Sequence, residues 1–229
     1  IMTDFTFAHR QEGFDEHIDW SIRGYRNLLD DVINLSRYFV EADTKVVDIG
    51  CSTGKLTARM MEYNNDVCPN ANYVGVEVAE GFFDNIKKRK KELNERWSNT
   101  KVDFILDDIR NYEFKNCSLV TSLFTLQFMP YSSRSLVIKN GLNKGGAFIF
   151  AEKIDTTHSR IENMLRTVYY QFKNQKFSYD DIMDKEKTLQ NMLKPNSWRE
   201  IEDMLDQAGF KAVQSFWQNH LFIGAIAIK

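Results

Sequence analysis

Paired cysteines, clustered histidines and long apolar runs are all missing from this 229-residue chain. Cys51, Cys68 and Cys117 stand alone, with no C-x-x-C pair, which argues against a disulfide framework and a zinc site. His9, His17, His158 and His220 are scattered, so no metal constellation is expected. Three prolines and eleven glycines leave little room for linkers or low-complexity segments. The longest apolar run, 221–228, is far too short to cross a bilayer. The first residues carry neither a basic nor an apolar leader region, so the expectation is no membrane association and a reducing, cytoplasmic location. Neither sign of charge is in excess: the formal net charge of −2 gives no general pull toward nucleic acid.

What is present is a well-supplied core. Hydrophobic residues make up 43% and aromatics 13% of the chain, and the length suits one α/β domain over 1–229. Strand-like and helix-like segments alternate regularly. Residues 14–40 read as helical, then a strand at 45–49, a helix at 56–63 and a strand at 72–78. A charged helix at 80–96, strands at 102–106 and 118–124, a helix at 132–142 and a strand at 147–152 follow, with Asn143-Lys144-Gly145-Gly146 as stop and turn. Residues 156–208 read mostly helical, and strands at 212–217 and 222–228 close the chain. Strands separated by helices imply a parallel sheet with helices on both faces, and the short last connection requires an antiparallel hairpin. The segments 1–40 and 156–208 are expected to cap the site as an N-terminal helical cap and a helical insertion.

The most informative stretch is 45–54, Lys-Val-Val-Asp-Ile-Gly-Cys-Ser-Thr-Gly. An apolar strand ends in Asp48, Gly50 and Gly54 bend the chain, and an amphipathic helix begins at once. This is the strand, Gly-rich turn, helix order of a nucleotide-type site, with free N–H groups at the helix start. It is neither the dinucleotide G-x-G-x-x-G, since residue 52 is Ser, nor a P-loop, since the G-K-[ST] ending is missing. Ligands of open α/β sheets lie outside the carboxyl ends of the strands. Candidate positions are therefore Asp48, Gly50, Cys51, Ser52 and Gly54 after the first strand, Glu77 at the end of the second, Asp108 and Ile109 after the third, and Phe124 after the fourth. A carboxylate such as Glu77 offers two acceptor oxygens to vicinal ribose hydroxyls. Phe124 and Phe128 suit core packing and adenine contact equally.

Asp-Ile-Gly-Cys-Ser-Thr-Gly resembles motif I of the S-adenosylmethionine (SAM) dependent methyltransferases. That resemblance implies the Rossmann-like, seven-stranded class I fold with its last strand inserted antiparallel, and an acid near Asp108 facing the adenine amino group. Phe124-Thr125-Leu126-Gln127-Phe128 narrows it to the carboxy-S-adenosylmethionine (carboxy-SAM) synthase family. Asp4–Phe7, Ser21–Tyr25, Asp48–Ser52, Asp108–Arg110, Glu152-Lys153, Leu189–Asn191, Ala208–Phe210 and Ser215–Trp217 agree with it and span nearly the whole chain. The resemblance implies that Tyr25, Gly50, Cys51, Ser52, Asp108 and Ile109 contact SAM or carboxy-SAM, with the Tyr25 ring suited to the sulfonium charge. It also implies a homodimer, through the amino-terminal helix and the 156–194 region.

Three positions depart from that family. Leu123 stands where it has Asn, Glu77 where it usually has Asp, and Glu186 where an Arg holds the product's carboxylate. Glu has no donors and repels a carboxylate, whereas Arg offers a bidentate fork. The expectation is therefore SAM-dependent methyl transfer to a small-molecule acceptor, with no catalytic base identified. The alternatives are the family's own reaction, in which carbon dioxide from prephenate is captured on the SAM methyl group for tRNA wobble-uridine modification, and a SAM-binding module without catalysis. Arg23, Arg166 and Arg199 are the candidate replacement anchors for a carboxylate. Tyr169, Tyr170, Phe172, Phe177 and Tyr179 crowd the cap, as core or as substrate cage. The cluster Lys87-Lys88-Arg89-Lys90-Lys91 spreads around a helix and is followed by Glu92 and Glu95. It reads first as a solvated face, and nucleic acid as a partner is the weaker reading.

Overall fold

In the computed structural model the described residues are 13–139 and 142–229. Asp4–Phe7 and His9 lie outside them.

Gly24 divides the amino-terminal helical region. Its φ of 78° is left-handed, so the expected continuous helix becomes α1 (Phe14–Ser21) and α2 (Tyr25–Ser36). The alternating strands and helices follow: β1 (Lys45–Ile49), α3 (Lys55–Asn64), β2 (Asn72–Glu77), α4 (Phe83–Arg96), β3 (Lys101–Leu106) and β4 (Cys117–Leu123). Then come α5 (Tyr131–Lys139), β5 (Leu142–Asp155), α6 (Ser159–Lys173), α7 (Tyr179–Leu189), β6 (Asn196–Ser197), α8 (Trp198–Gln207), β7 (Ala212–Asn219) and β8 (Phe222–Ile228). β5 begins earlier than the glycines at 145 and 146 suggested. The chain bends within it, with Gly145 at φ 84° and a register shift against β4.

The sheet runs β3-β2-β1-β4-β5-β8-β7, with β6 paired to β5. Among the described residues the strand count is eight, not the seven expected, because the two-residue β6 adds to the main path. β1 is parallel to β2 and β4, and β8 is antiparallel to β5 and β7. The order reverses between β1 and β4, which opens the ligand crevice of such sheets.

Both faces of the central strands are buried, as parallel strands require. Val46 packs with Leu28, Leu29, Met60 and Met61 from α2 and α3, while its neighbour Val47 packs with Val137, Ile138, Ile201 and Leu205 from α5 and α8. Alternation along the strand thus feeds two cores, one on each face. α8 is set by a complete capping box: the Ser197 hydroxyl accepts from the Glu200 N–H and the Glu200 carboxylate accepts from the Ser197 N–H. No helix among the described residues is long and apolar enough to cross a membrane.

Candidate functional site

At the carboxyl ends of β1, β2 and β4 lies a cavity of about 740 Å³. That falls within the range that holds small-molecule ligands, roughly 300–1,000 Å³. α1, α7 and Phe222 of β8 complete its wall. Asp15 of α1 ties that helix to the β1–α3 loop: it accepts from the Thr53 hydroxyl at 3.0 Å and faces Lys55 at 3.9 Å.

The loop after β1 is fixed by its own strand neighbours. Gly50 has φ 67°, and a β carbon there would overlap the Thr125 side chain. The closest approach to Gly50 is therefore made by the protein itself. The Thr125 hydroxyl donates to the Ile49 carbonyl at 3.2 Å. Glu77 closes the loop from β2: one carboxylate oxygen accepts from the Ser52 N–H at 2.8 Å, the other from the N–H groups of Val78 and Ala79 at 3.0 and 2.8 Å. Burial raises the Glu77 pKa and these three donors oppose the rise. Asp48, at 2% exposure, accepts from Thr57 at 2.7 Å and from Thr121 at 2.9 Å. Burial pushes its carboxyl up to about 6. Burial also raises the Cys51 thiol well above its ordinary value, so it is no ready nucleophile.

The Phe124–Phe128 turn is the second structural unit of the site. Phe124 sits at φ 57°, a strained conformation for a bulky residue, and its N–H donates to the Ala151 carbonyl at 2.6 Å. Its ring lies 6.2 Å from that of Tyr25 and meets Phe222 edge-on at 5.6 Å. Glu152 of β5 holds the turn from below, accepting from the Leu126 and Gln127 N–H groups at 3.0 and 2.8 Å. The Gln127 side chain accepts in turn from the Lys153 N–H at 2.7 Å. Burial pushes the Glu152 carboxyl up to about 8. After β3, Asp108 caps a short 3-10 turn that contains Ile109, and it is gripped by Arg110 at 2.5–3.0 Å. That grip holds Asp108 below the usual carboxylate range.

The cavity's far end is polar. Glu186 of α7 faces Lys153 of β5 and Lys173 of α6, each at 3.9 Å. Both ammonium groups also lie over the Tyr169 ring, at 5.7 and 5.1 Å from its centroid. Burial lowers the Lys153 pKa and pushes Lys173 down to about 8. Burial raises the Tyr170 pKa, and the Glu186 carboxylate adds to the rise. Nearby, Lys185 and His17 are paired at 2.5 Å.

Of the residues singled out from sequence, Tyr25, Asp48, Gly50, Cys51, Ser52, Glu77, Asp108, Ile109 and Phe124 all line this cavity. Gly54 is outside its lining. It starts α3 at φ 72° and packs under Phe104. Arg23, Arg166 and Arg199 are likewise not in the lining, and Arg166 is held by Glu162. The cations beside Glu186 are Lys153 and Lys173. Sequence reading did not single them out, although Lys153 lies in the quoted Glu152-Lys153 pair. Tyr169 is the one crowded cap aromatic in the lining, and Tyr179 is exposed. In the basic cluster, Lys88, Lys90 and Lys91 face Glu92, Asp103 and Glu95, while Arg89 donates to the Thr53 carbonyl at 2.6 Å. Among the described residues no group of His, Cys, Asp and Glu is placed to hold a metal ion.

Comparison with known proteins gives the same outline. The family profile described as a methyltransferase domain matches residues 46–144. A carboxy-S-adenosyl-L-methionine synthase from Staphylococcus epidermidis is 33% identical, covering 98% of this chain and 97% of that protein. The corresponding synthase of Actinobacillus succinogenes is 31% identical, covering 99% and 94%. Among solved structures, human N-acetylserotonin methyltransferase in complex with SAM superposes with a TM-score of 0.51 at 13% identity, covering 81% of this chain and 46% of that one. That last likeness shows the fold alone.

Proposed function

The chain belongs to the carboxy-S-adenosyl-L-methionine synthase family, and from that premise we propose that it uses SAM for methyl transfer to a small-molecule acceptor. The observation that carries this reading is Glu186. Where the family resemblance calls for an arginine to hold a carboxylate, this chain has a carboxylate of its own, 3.9 Å from each of two lysines. A product carboxyl group brought to this position finds a like charge where a bidentate donor is called for, which weakens its hold there.

The lining fits SAM. Acceptors at Glu77 and Asp108, the Tyr25 ring and an apolar wall share one cavity. The Ser21 hydroxyl, also in the wall, is buried and has no hydrogen-bond partner among the described residues. In this reading Glu77 faces the ribose hydroxyls, Asp108 the adenine amino group and Tyr25 the sulfonium. Bound SAM supplies an activated methyl group. The protein binds and orients the reactants and excludes water.

A second reading is carboxy-SAM synthesis from SAM and prephenate, serving tRNA wobble-uridine modification. Family membership favours it, as do the two cations against one carboxylate at the cavity's end. Incubation with SAM and prephenate, followed by mass spectrometry of the cofactor, separates the two. The expected result is unchanged SAM, and a cofactor heavier by one carboxyl group overturns the proposal. A homodimer in a cytoplasmic setting belongs to both readings. Its interface would include α6, whose Ile161, Met164 and Val168 are exposed, and sedimentation velocity tests it.

A further inference from the structure

We propose that the acceptor is a neutral hydroxyl compound, a phenol or an alcohol on an apolar body, whose oxygen lies between Glu186 and Lys153. This rests on the methyl-transfer reading and names its substrate class.

The cavity's end carries both signs of charge. A ligand carboxylate entering there meets Glu186 beside the lysines, and a ligand ammonium meets the lysines beside Glu186. A hydroxyl is neutral, donates once and accepts twice, so it satisfies both signs together. The spacing suits it. Glu186 and Lys153 stand 3.9 Å apart, too far for a hydrogen bond to each other. One oxygen at ordinary hydrogen-bond distance from both would see them at an angle of about 90°. Both residues line the cavity, while Lys173 is almost fully buried behind them. Phe124, Phe128, Leu193 and Phe222 supply apolar walls for the rest of the ligand.

The same placement gives each group a task. Lys153 donates to the acceptor oxygen and stabilises negative charge as it develops there. Glu186 receives the hydroxyl proton. The oxygen's electron pair forms the new bond to the methyl carbon, the carbon–sulfur bond breaks, and its electron pair stays on sulfur as a neutral thioether. Charge balances, because the sulfonium charge is lost as the Glu186 carboxylate takes up a proton.

The test is calorimetry on the full chain saturated with S-adenosylhomocysteine, titrated with 4-ethylphenol, 4-ethylbenzoate and 4-ethylbenzylammonium. The phenol is expected to bind at least about tenfold tighter than either ion. Lys153→Met should cost the phenol about tenfold. Glu186→Gln should strengthen benzoate binding by a similar factor, since both lysines remain. Benzoate or ammonium binding as tightly as the phenol in the wild-type protein overturns the proposal, as does no binding of the phenol. The wild-type ranking decides even if a variant fails to fold. A methylated carboxylic acid would leave methyl transfer standing and overturn the hydroxyl assignment. Carboxylated SAM from prephenate would instead overturn methyl transfer itself.

Discussion

Gly50 and Thr125 interlock: the threonine side chain fills the space a β carbon at residue 50 would need. The Thr125 hydroxyl is anchored to the carbonyls of Ile49 and Leu123, both at 3.2 Å. It therefore moves only if β1 and β4 move with it. Gly50→Ala is expected to lose about 2–4 kcal/mol, from overlap together with a left-handed φ that alanine resists. Thermal unfolding measures the loss. The double variant with Thr125→Ser should recover part of it, because a methyl group is removed while the positive φ remains.

The buried acids Asp48 and Glu152 make stability fall as pH rises. Asp48 has a folded pKa raised to about 6 from an ordinary value of 3.8. A raised acid favours the protonated fold, so its contribution is complete below about pH 4 and is lost as pH climbs to about 6. The difference amounts to about 3 kcal/mol. Glu152, raised from 4.5 to about 8, acts in the same direction over a wider window, up to about pH 8. Asp48→Asn keeps one acceptor for one threonine and offers a donor to the other. It should therefore melt at a higher temperature than the wild type at pH 7.5 and at nearly the same temperature at pH 4. A lower melting temperature at pH 7.5 would contradict the assignment of burial as the cause.

Asp108 and Glu77 separate binding from stability. Asp108 is gripped chiefly by its near neighbour Arg110 in a partly exposed turn. Asp108→Asn should leave the melting temperature almost unchanged and weaken SAM about tenfold by calorimetry. Glu77 holds three backbone N–H groups of two loops. Glu77→Ala strands all three donors, so it should cost about 2–4 kcal/mol of stability and also abolish measurable SAM binding. If wild-type protein gives no heat and no thermal shift with SAM, the non-catalytic alternative fails with the enzymatic ones, since all require SAM to bind.

Much of this was legible in the sequence because the relevant signals are local. Val46 and Val47 run into Asp48 and Gly50, and strand, turn and helix then follow within ten residues. The left-handed break at Gly24 was missed because the apolar period on either side of it continues almost unbroken. The early start of β5 was hidden by Gly145 and Gly146, which read as a turn yet lie in a bent strand. Lys153 and Lys173 escaped notice for a different reason. They are 20 positions apart and meet only because α6 packs back over the sheet end where Glu186 arrives on α7. No spacing rule along the chain carries that information. Arg23, Arg166 and Arg199 were chosen by residue type, and type alone does not tell which cations face inward.

Glu152 and Lys153 are adjacent on β5 and serve different neighbours. The glutamate carboxylate secures the turn beneath the site, and the lysine side chain reaches into the cavity. Deletion of one residue between Ala147 and Glu152 would carry Lys153 into the glutamate's position, and insertion of one residue would carry Glu152 into the lysine's position. The deletion would press a lysine against the Leu126 and Gln127 N–H groups, and the insertion would stand a second acid beside Glu186. β5 should accordingly tolerate exchanges among its apolar residues far better than any change of length. Indel scanning along 147–153 with a fluorescence-based solubility readout is expected to show a sharp gap there, flanked by permissive positions in the loop at 156–158.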